Sequence, residues 1–265
     1  MPRRGPLFGL AVGAALGLIL LGLVVRRDGT PAPTVAGVPQ DRPGPVLLVP
    51  GYGGATGALE VLAAKLRAAG RDASVVALPG DGTGDLREAA RALDVAATAA
   101  ITAGAPSVDV IGYSAGGVTA RYWAKELGGA TKARRVITLG SPHHGSKVAR
   151  LALRFAGGSC PVACRQLVPG SDLLEALNAD DETPDGPEWL ALWTAQDGTV
   201  TPPDSARLEG AVDVVLQDVC ADAVISHADL PRTALVGGIV LAALDTGPIP
   251  TPVSADCVFL QQQGR

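Results

Sequence analysis

The feature that most constrains the fold is a serine enclosed by glycines between an apolar run and a helical pattern. The run Val108–Tyr113 leads into Gly-Tyr-Ser-Ala-Gly at positions 112–116. Where a strand turns directly into a helix, the residues two positions before and after the central one come so close that neither can carry a Cβ atom. We therefore expect a strand over 108–113, a sharp turn at Ser114 and a helix over 115–127.

Composition limits the number of domains and the classes of partner. With 265 residues and a hydrophobic fraction of 47%, the chain can bury one sizeable core. The net charge is −4 and no block of lysines or arginines follows Arg27, so nothing indicates nucleic-acid binding. Aromatic residues make up only 3% and offer no stacking platform for bases. A single globular domain without a nucleic-acid partner is predicted.

The N-terminal segment is strongly apolar. Residues 7–25 carry no charge and are long enough as a helix to cross about 30 Å of hydrocarbon. Two arginines precede this stretch and two follow it, which only slightly favours a cytoplasmic N-terminus. We predict a transmembrane signal anchor in residues 1–27 that places the globular domain outside the cytoplasm. The alternative is a cleaved signal peptide, whose nearest small-residue site, 34–36, lies rather far downstream.

Four cysteines lie beyond the apolar segment. An even number of cysteines in an exported chain favours disulfides over metal ligation. The short spacing of Cys160 and Cys164 indicates a local loop, which leaves Cys220 to pair with Cys257. Free buried thiols are the alternative.

A Pro- and Gly-rich linker over 28–44 precedes a globular domain over 45–265, in which strand and helix patterns alternate. Strands are predicted at 46–49, 73–78, 108–113, 135–139, 189–195 and 212–216, and helices at 57–70, 86–103, 115–127 and 235–243 as the closing helix. This alternation predicts an α/β fold with a mostly parallel central sheet flanked by helices. The pattern blurs over 146–189, where a short helix near 172–177 precedes an acidic run. That stretch forms either a flap beside a pocket or a surface excursion.

A serine hydroxyl is a poor nucleophile near neutral pH and needs a base that is oriented by a carboxylate. In sheets with this type of serine turn, the three groups follow the chain order serine, carboxylate, histidine. His143 and His144 follow Ser114 too closely to leave room for the strand that bears the carboxylate. We therefore predict His227 as the base, in the loop after the last strand.

The predicted carboxylate is Asp197. It stands in an Asp-Gly turn directly after the strand predicted over 189–195, at the edge where the loops of a parallel sheet meet. Asp218 and Asp222 are the competing candidates, and both lie after the final strand.

Acyl transfer also needs two N–H donors for the oxyanion. The residue after the nucleophile supplies one, which is Ala115. The loop after the first strand supplies the other, which we predict to be Tyr52 within Pro-Gly-Tyr-Gly-Gly at 50–54. The alternative for this loop is a dinucleotide-binding turn, but its spacing is not G-x-G-x-x-G.

Together these motifs resemble the small bacterial secreted lipases and esterases of the α/β-hydrolase superfamily. The resemblance rests on residues 46–54, 110–117 and 139–145 and on the contexts of Asp197 and His227, and it spans about 45–243. It implies an α/β-hydrolase fold with a minimal cap. It also implies hydrolysis of carboxylic esters, with acylglycerols among the candidate substrates, through an acyl-enzyme on Ser114. It implies neither cofactor nor metal. One departure is Pro50, where related enzymes often have histidine.

Two other functions are the alternatives. An acyltransferase would use the same triad but pass the acyl group to an acceptor alcohol. A membrane-tethered binding module would have lost the triad, whereas all three members are present in this sequence.

Overall fold

A six-stranded parallel sheet forms the centre of the domain. The computed structural model describes residues 37–156 and 159–265. The strands are β1 Val46–Val49, β2 Ala73–Val75, β3 Val108–Tyr113, β4 Ala133–Leu139, β5 Glu188–Trp193 and β6 Val212–Val215. They pair in the order β2-β1-β3-β4-β5-β6, and every pairing is parallel. The predicted parallel sheet is confirmed.

Helices cover both faces of this sheet. They are α1 Gly57–Ala68, α2 Leu86–Thr102, α3 Ala115–Glu126, α4 Lys147–Ala156, α5 Val162–Gln166, α6 Asp172–Asn178, α7 Leu216–Val219, α8 Ala234–Ala243 and α9 Cys257–Gln263. In β1, Val46 and Leu48 pack in the cluster that includes α1, α8 and α9, whereas Leu47 and Val49 pack against α2 and α3. All four side chains are buried, because helices cover a parallel sheet on both sides.

Among the differences between the sequence predictions and the structure, three concern β2, β5 and the helix that closes the fold. The strand predicted over 73–78 ends at Val75, shortly before the turn at Pro79. The strand predicted over 189–195 ends at Trp193, because the N–H of Asp197 turns back to the carbonyl of Thr194. The helix at 235–243 does not close the fold, since α9 follows it and packs directly on α8.

Glycines allow α8 and α9 to approach so closely. A Cβ atom on Gly238 would lie 1.9 Å from the carbonyl oxygen of Leu260. The disulfide Cys220–Cys257 joins the end of α7 to the start of α9, and Cys160–Cys164 links the turn before α5 to that helix. Both predicted pairings are present. Because disulfides persist in oxidising compartments, they indicate an extracellular environment for this domain.

A buried ionic cluster lies at the edge of the sheet opposite Ser114. The carboxylate of Asp109, on β3, has no exposed surface and accepts hydrogen bonds from Arg134 at 2.7 and 2.9 Å and from Arg71 at 2.7 Å. The same two arginines donate to the carbonyl of Leu244 at the end of α8. Two arginines therefore share one buried carboxylate, and the carbonyl end of α8 is capped by cations.

The predicted anchor in residues 1–27 lies outside the described residues, as does most of the predicted linker over 28–44. Among residues 37–156 and 159–265, no helix has both the length and the apolar character that crossing a membrane requires.

Candidate active site

Ser114 stands at the predicted turn between β3 and α3. Its φ of 54° and ψ of −125° form a strained conformation that is rare for residues with a side chain. A Cβ atom on Gly112 would lie 2.4 Å from Cα of Gly117, and one on Gly116 would lie 2.2 Å from the carbonyl oxygen of Val49. The absence of side chains at both positions therefore lets the turn pack against the backbone of α3 and of β1.

Three side chains form a hydrogen-bonded chain at the carboxyl edge of the sheet. Nε2 of His227 lies 3.0 Å from Oγ of Ser114, and Nδ1 of His227 lies 2.6 Å from Oδ2 of Asp197. His227 and Asp197 are 8% and 5% exposed, so water competes little for either contact. The structure thus brings together the three residues predicted from the sequence.

The loop after β5 orients Asp197. Its other oxygen, Oδ1, accepts hydrogen bonds from the N–H groups of Thr199 and Val200, each at 2.8 Å. Asp218 and Asp222 are both exposed, and neither hydrogen-bonds to His227. The geometry therefore favours Asp197 over its two competitors.

Two residues beside the serine have a backbone N–H without an acceptor. Among the described residues, no acceptor takes a hydrogen bond from the N–H of Tyr52 or of Ala115. A Cβ atom on Gly51 would lie 2.9 Å from Cβ of Ser114, so this glycine lets the β1 loop lie directly against the nucleophile. Ala115 is the first residue of α3, where helix N–H groups are free to bind an anion.

A cavity of about 190 Å³ lies beside Ser114. Its wall includes Tyr52 and is mostly apolar, with these side chains contributing: Pro142, Val148, Ala149, Ala152, Leu167 and Val200. Three of these belong to α4, a helix that the sequence reasoning missed. The apolar spacing over 148–155 was the signal that could have revealed it.

Tyr113 is a residue of the site that the sequence did not single out. Its hydroxyl donates to the carbonyl of His227 at 3.1 Å, and the two rings lie 5.2 Å apart. Burial, with the nearby charge of Asp197, raises the pKa of Tyr113 to about 12, so the phenol stays protonated as a donor. This contact holds the backbone of His227 in place.

His143 and His144 take other positions. His143 is fully buried, with Nε2 at 3.1 Å from Oγ1 of Thr138, and burial holds its pKa well below the ordinary value. His144 contacts Oε1 of Glu182 at 2.9 Å, and this hydrogen bond raises the pKa of His144. Burial alone would raise the pKa of Glu182, but its bonds from His144 and from the Glu209 N–H lower it. Neither histidine hydrogen-bonds to the serine.

The stretch after α6 is attached to the helix that follows Ser114. Arg121, buried on α3, donates to the side chain of Asn178 and to the carbonyls of Leu177 and Glu182 at 2.9 to 3.2 Å. Lys125, one turn later, donates to three carbonyls over 177–181. Burial lowers the pKa of Arg121 to about 10, which leaves the guanidinium charged near neutral pH.

Comparisons with known proteins bear on the fold. No protein-family model matches the chain, and no curated protein sequence is similar to it. Among solved structures, lipase B of Aspergillus fumigatus matches with a TM-score of 0.67 and 18% identity, over 84% of this chain and 61% of that enzyme. The mature form of lipase BlEst2 from Bacillus licheniformis matches with a TM-score of 0.62 and 20% identity, over 76% of this chain and 92% of that one.

A gene product of Listeria innocua also matches, with a TM-score of 0.51 and 16% identity over 73% of this chain and 90% of that one. At such low identities these likenesses establish the arrangement of strands and helices and leave the substrate open. The mostly parallel six-stranded sheet and its flanking helices match those of the two lipases. The chain has the α/β-hydrolase fold.

Proposed function

We propose that this protein is a serine hydrolase of carboxylic esters, in the lipase and esterase class. The observation that carries the proposal is the hydrogen-bonded chain from Ser114 through His227 to Asp197, beside a mostly apolar cavity. The structural likeness to two lipases supports the same class of reaction.

In the proposed mechanism, Oγ of Ser114 attacks the ester carbonyl carbon while Nε2 of His227 takes the hydroxyl proton. The N–H groups of Tyr52 and Ala115 stabilise the oxyanion. Asp197 accepts from Nδ1 of His227 and stabilises the imidazolium. When the tetrahedral intermediate collapses, the bond to the alcohol breaks, the alcohol leaves with the proton from Nε2, and an acyl-enzyme remains.

Deacylation follows the same route with water. His227 takes a proton from the water as its oxygen attacks the acyl carbon, and then returns it to Oγ of Ser114 as the acid leaves. The apolar side chains of α4 provide a surface for the acyl chain. Acylglycerols belong to the proposed range of substrates because the cavity wall is mostly apolar.

The test is the initial rate of hydrolysis of p-nitrophenyl esters from acetate to palmitate by the full chain and by Ser114→Ala. We expect the substitution to abolish activity, and the optimal chain length separates an esterase from a lipase. Adding an acceptor alcohol distinguishes a hydrolase, which yields mostly free acid, from an acyltransferase, which yields mostly the new ester. If the wild type is folded but inactive on every ester, the proposal is wrong.

We also propose that residues 1–27 anchor the protein to a membrane, with 28–44 as the linker to an extracytoplasmic domain over 45–265. The apolar character of 7–25 and the two disulfides support this arrangement. Alkaline carbonate washing of membranes tests it, because an anchored protein stays with the membrane whereas a cleaved one is released.

A further inference from the structure

Helix α4 carries large apolar side chains that no other part of the described domain covers. Val148, Leu151 and Phe155 are 42%, 50% and 80% exposed, at spacings of three and four residues that place them on the same face of the helix. Isolated exposed apolar residues are common, but a continuous row marks a binding surface. The row begins at Val148, which also lines the cavity beside Ser114.

A row of cations runs along the same helix. Lys147, Arg150 and Arg154 are exposed, and each precedes one of the apolar residues, so the two rows lie side by side. None of the three forms an ion pair with a carboxylate in the described part of the chain. We call these six residues the α4 surface.

The charge of this region is opposite to that of the whole chain. Residues 146–170 contain four cations, the fourth being the exposed Arg165, and no aspartate or glutamate, although the chain carries a net charge of −4. A helix with apolar residues beside a row of Lys and Arg lies in the plane of a lipid surface, where anionic head groups attract the cations.

We propose that the α4 surface docks on lipid aggregates that carry anionic head groups, and that docking brings the cavity beside Ser114 to the lipid. A second copy of this chain is a poorer partner, because two α4 surfaces would bring their cations together. The choice of substrate that docking implies rests on the proposed function. Docking itself does not, so it is measured with the inactive variant Ser114→Ala.

A tryptophan placed on the α4 surface reports docking directly. The three native tryptophans are buried, so in the full-length Ser114→Ala background the substitution Phe155→Trp adds the exposed indole. The matched control is Val95→Trp, on α2, where the native valine is 70% exposed. Vesicles contain neutral phosphatidylcholine with brominated acyl chains, either alone or with 30% phosphatidylglycerol as a chosen test fraction.

We expect Phe155→Trp to be quenched and shifted to shorter wavelength by the anionic vesicles, with a much smaller response to neutral ones. Adding Arg150→Gln and Arg154→Gln should lower the docking constant obtained from quenching roughly 30-fold, from a factor of about five per cation. The control pair Arg87→Gln and Arg91→Gln, on α2, removes the same charge and should leave the docking constant unchanged.

Three results would overturn the proposal. They are equal quenching of Phe155→Trp by neutral and anionic vesicles, no quenching by anionic vesicles, and a spectral shift that grows with protein concentration when vesicles are absent. The last would identify a second copy as the partner. Residues 1–36 are common to all variants, so any vesicle binding by residues 7–25 is the same in the α4 variants and in the matched α2 variants. Failure of the wild type to hydrolyse soluble esters would instead refute the proposed function alone.

Discussion

The role proposed for Asp197 can be tested by replacing it with asparagine, which changes the chemistry of one atom and keeps the shape. In the native loop Oδ1 accepts from two N–H groups, those of Thr199 and Val200. Only the amide oxygen of Asp197→Asn can take that place, because an NH₂ group there would face two donors. The NH₂ group must therefore point to Nδ1 of His227.

This orientation fixes the wrong tautomer of the base. With an N–H donor at the former Oδ2 position, Nδ1 of His227 must accept a hydrogen bond, so the ring proton moves to Nε2. A protonated Nε2 cannot take the proton of Ser114. The corresponding change in a well-studied serine protease lowers kcat about 10⁴-fold, which corresponds to about 5.4 kcal/mol. We expect a loss of similar size here.

The assay is the hydrolysis of p-nitrophenyl butyrate, with kcat and KM determined separately. Asp197 does not line the cavity, so the loss should fall on kcat and leave KM nearly unchanged. The control is Asp218→Asn, an exposed position that should keep wild-type activity. If Asp197→Asn retains more than about a tenth of wild-type kcat while remaining folded, the orientation argument is refuted.

Three further predictions concern the cavity, an ion pair and a disulfide. Ala149→Phe should fill much of the cavity and lower kcat/KM for p-nitrophenyl octanoate at least about tenfold relative to p-nitrophenyl acetate. An equal loss of kcat/KM on the two esters would contradict this role of the cavity. The pKa of His144 lies above its ordinary 6.5, so the pair with Glu182 stabilises the fold below that pH and the contribution is lost as pH rises through the raised pKa. Because the imidazole is half exposed, His144→Gln should lower the free energy of unfolding in urea by only about 0.5 kcal/mol at about pH 5.5, and by less at about pH 8.5; an equal loss at both would refute the pairing. Replacing Cys220 and Cys257 with alanine opens a loop of sequence separation 37 and should lower the free energy of unfolding by about 4 kcal/mol, whereas an unchanged urea midpoint would argue against the disulfide.

The sequence predicted best the features that depend on local chemistry. The turn at Ser114 needs residues without side chains on both sides, and that requirement is visible in five letters. Asp197 and His227 follow from the rule that loops after parallel strands meet at one edge of the sheet. Their hydrogen bonds of 2.6 and 3.0 Å agree with that expectation, while the catalytic roles stay a prediction.

Features that depend on distant partners were not predictable in the same way. The predicted strand 135–139 leaves out Ala133 and Arg134, because the burial of Arg134 depends on its ion pair with Asp109 on the neighbouring strand β3. Helix α4 has apolar residues at helical spacing over 148–155, but Val148, Leu151 and Phe155 are exposed, so its place beside the cavity depends on tertiary packing that the spacing alone does not specify.

The placement of α4 and α5 has a consequence for how this protein can change. The hydrogen-bonded chain of Ser114, His227 and Asp197 and the two N–H donors proposed for the oxyanion lie on loops of the sheet and on the first residue of α3, where backbone packing tolerates almost no variation. Most of the cavity wall instead comes from residues 142–167, a segment with its own disulfide, Cys160–Cys164. Selection or engineering can therefore reshape the cavity by varying one segment, while the residues proposed to carry out the reaction stay unchanged.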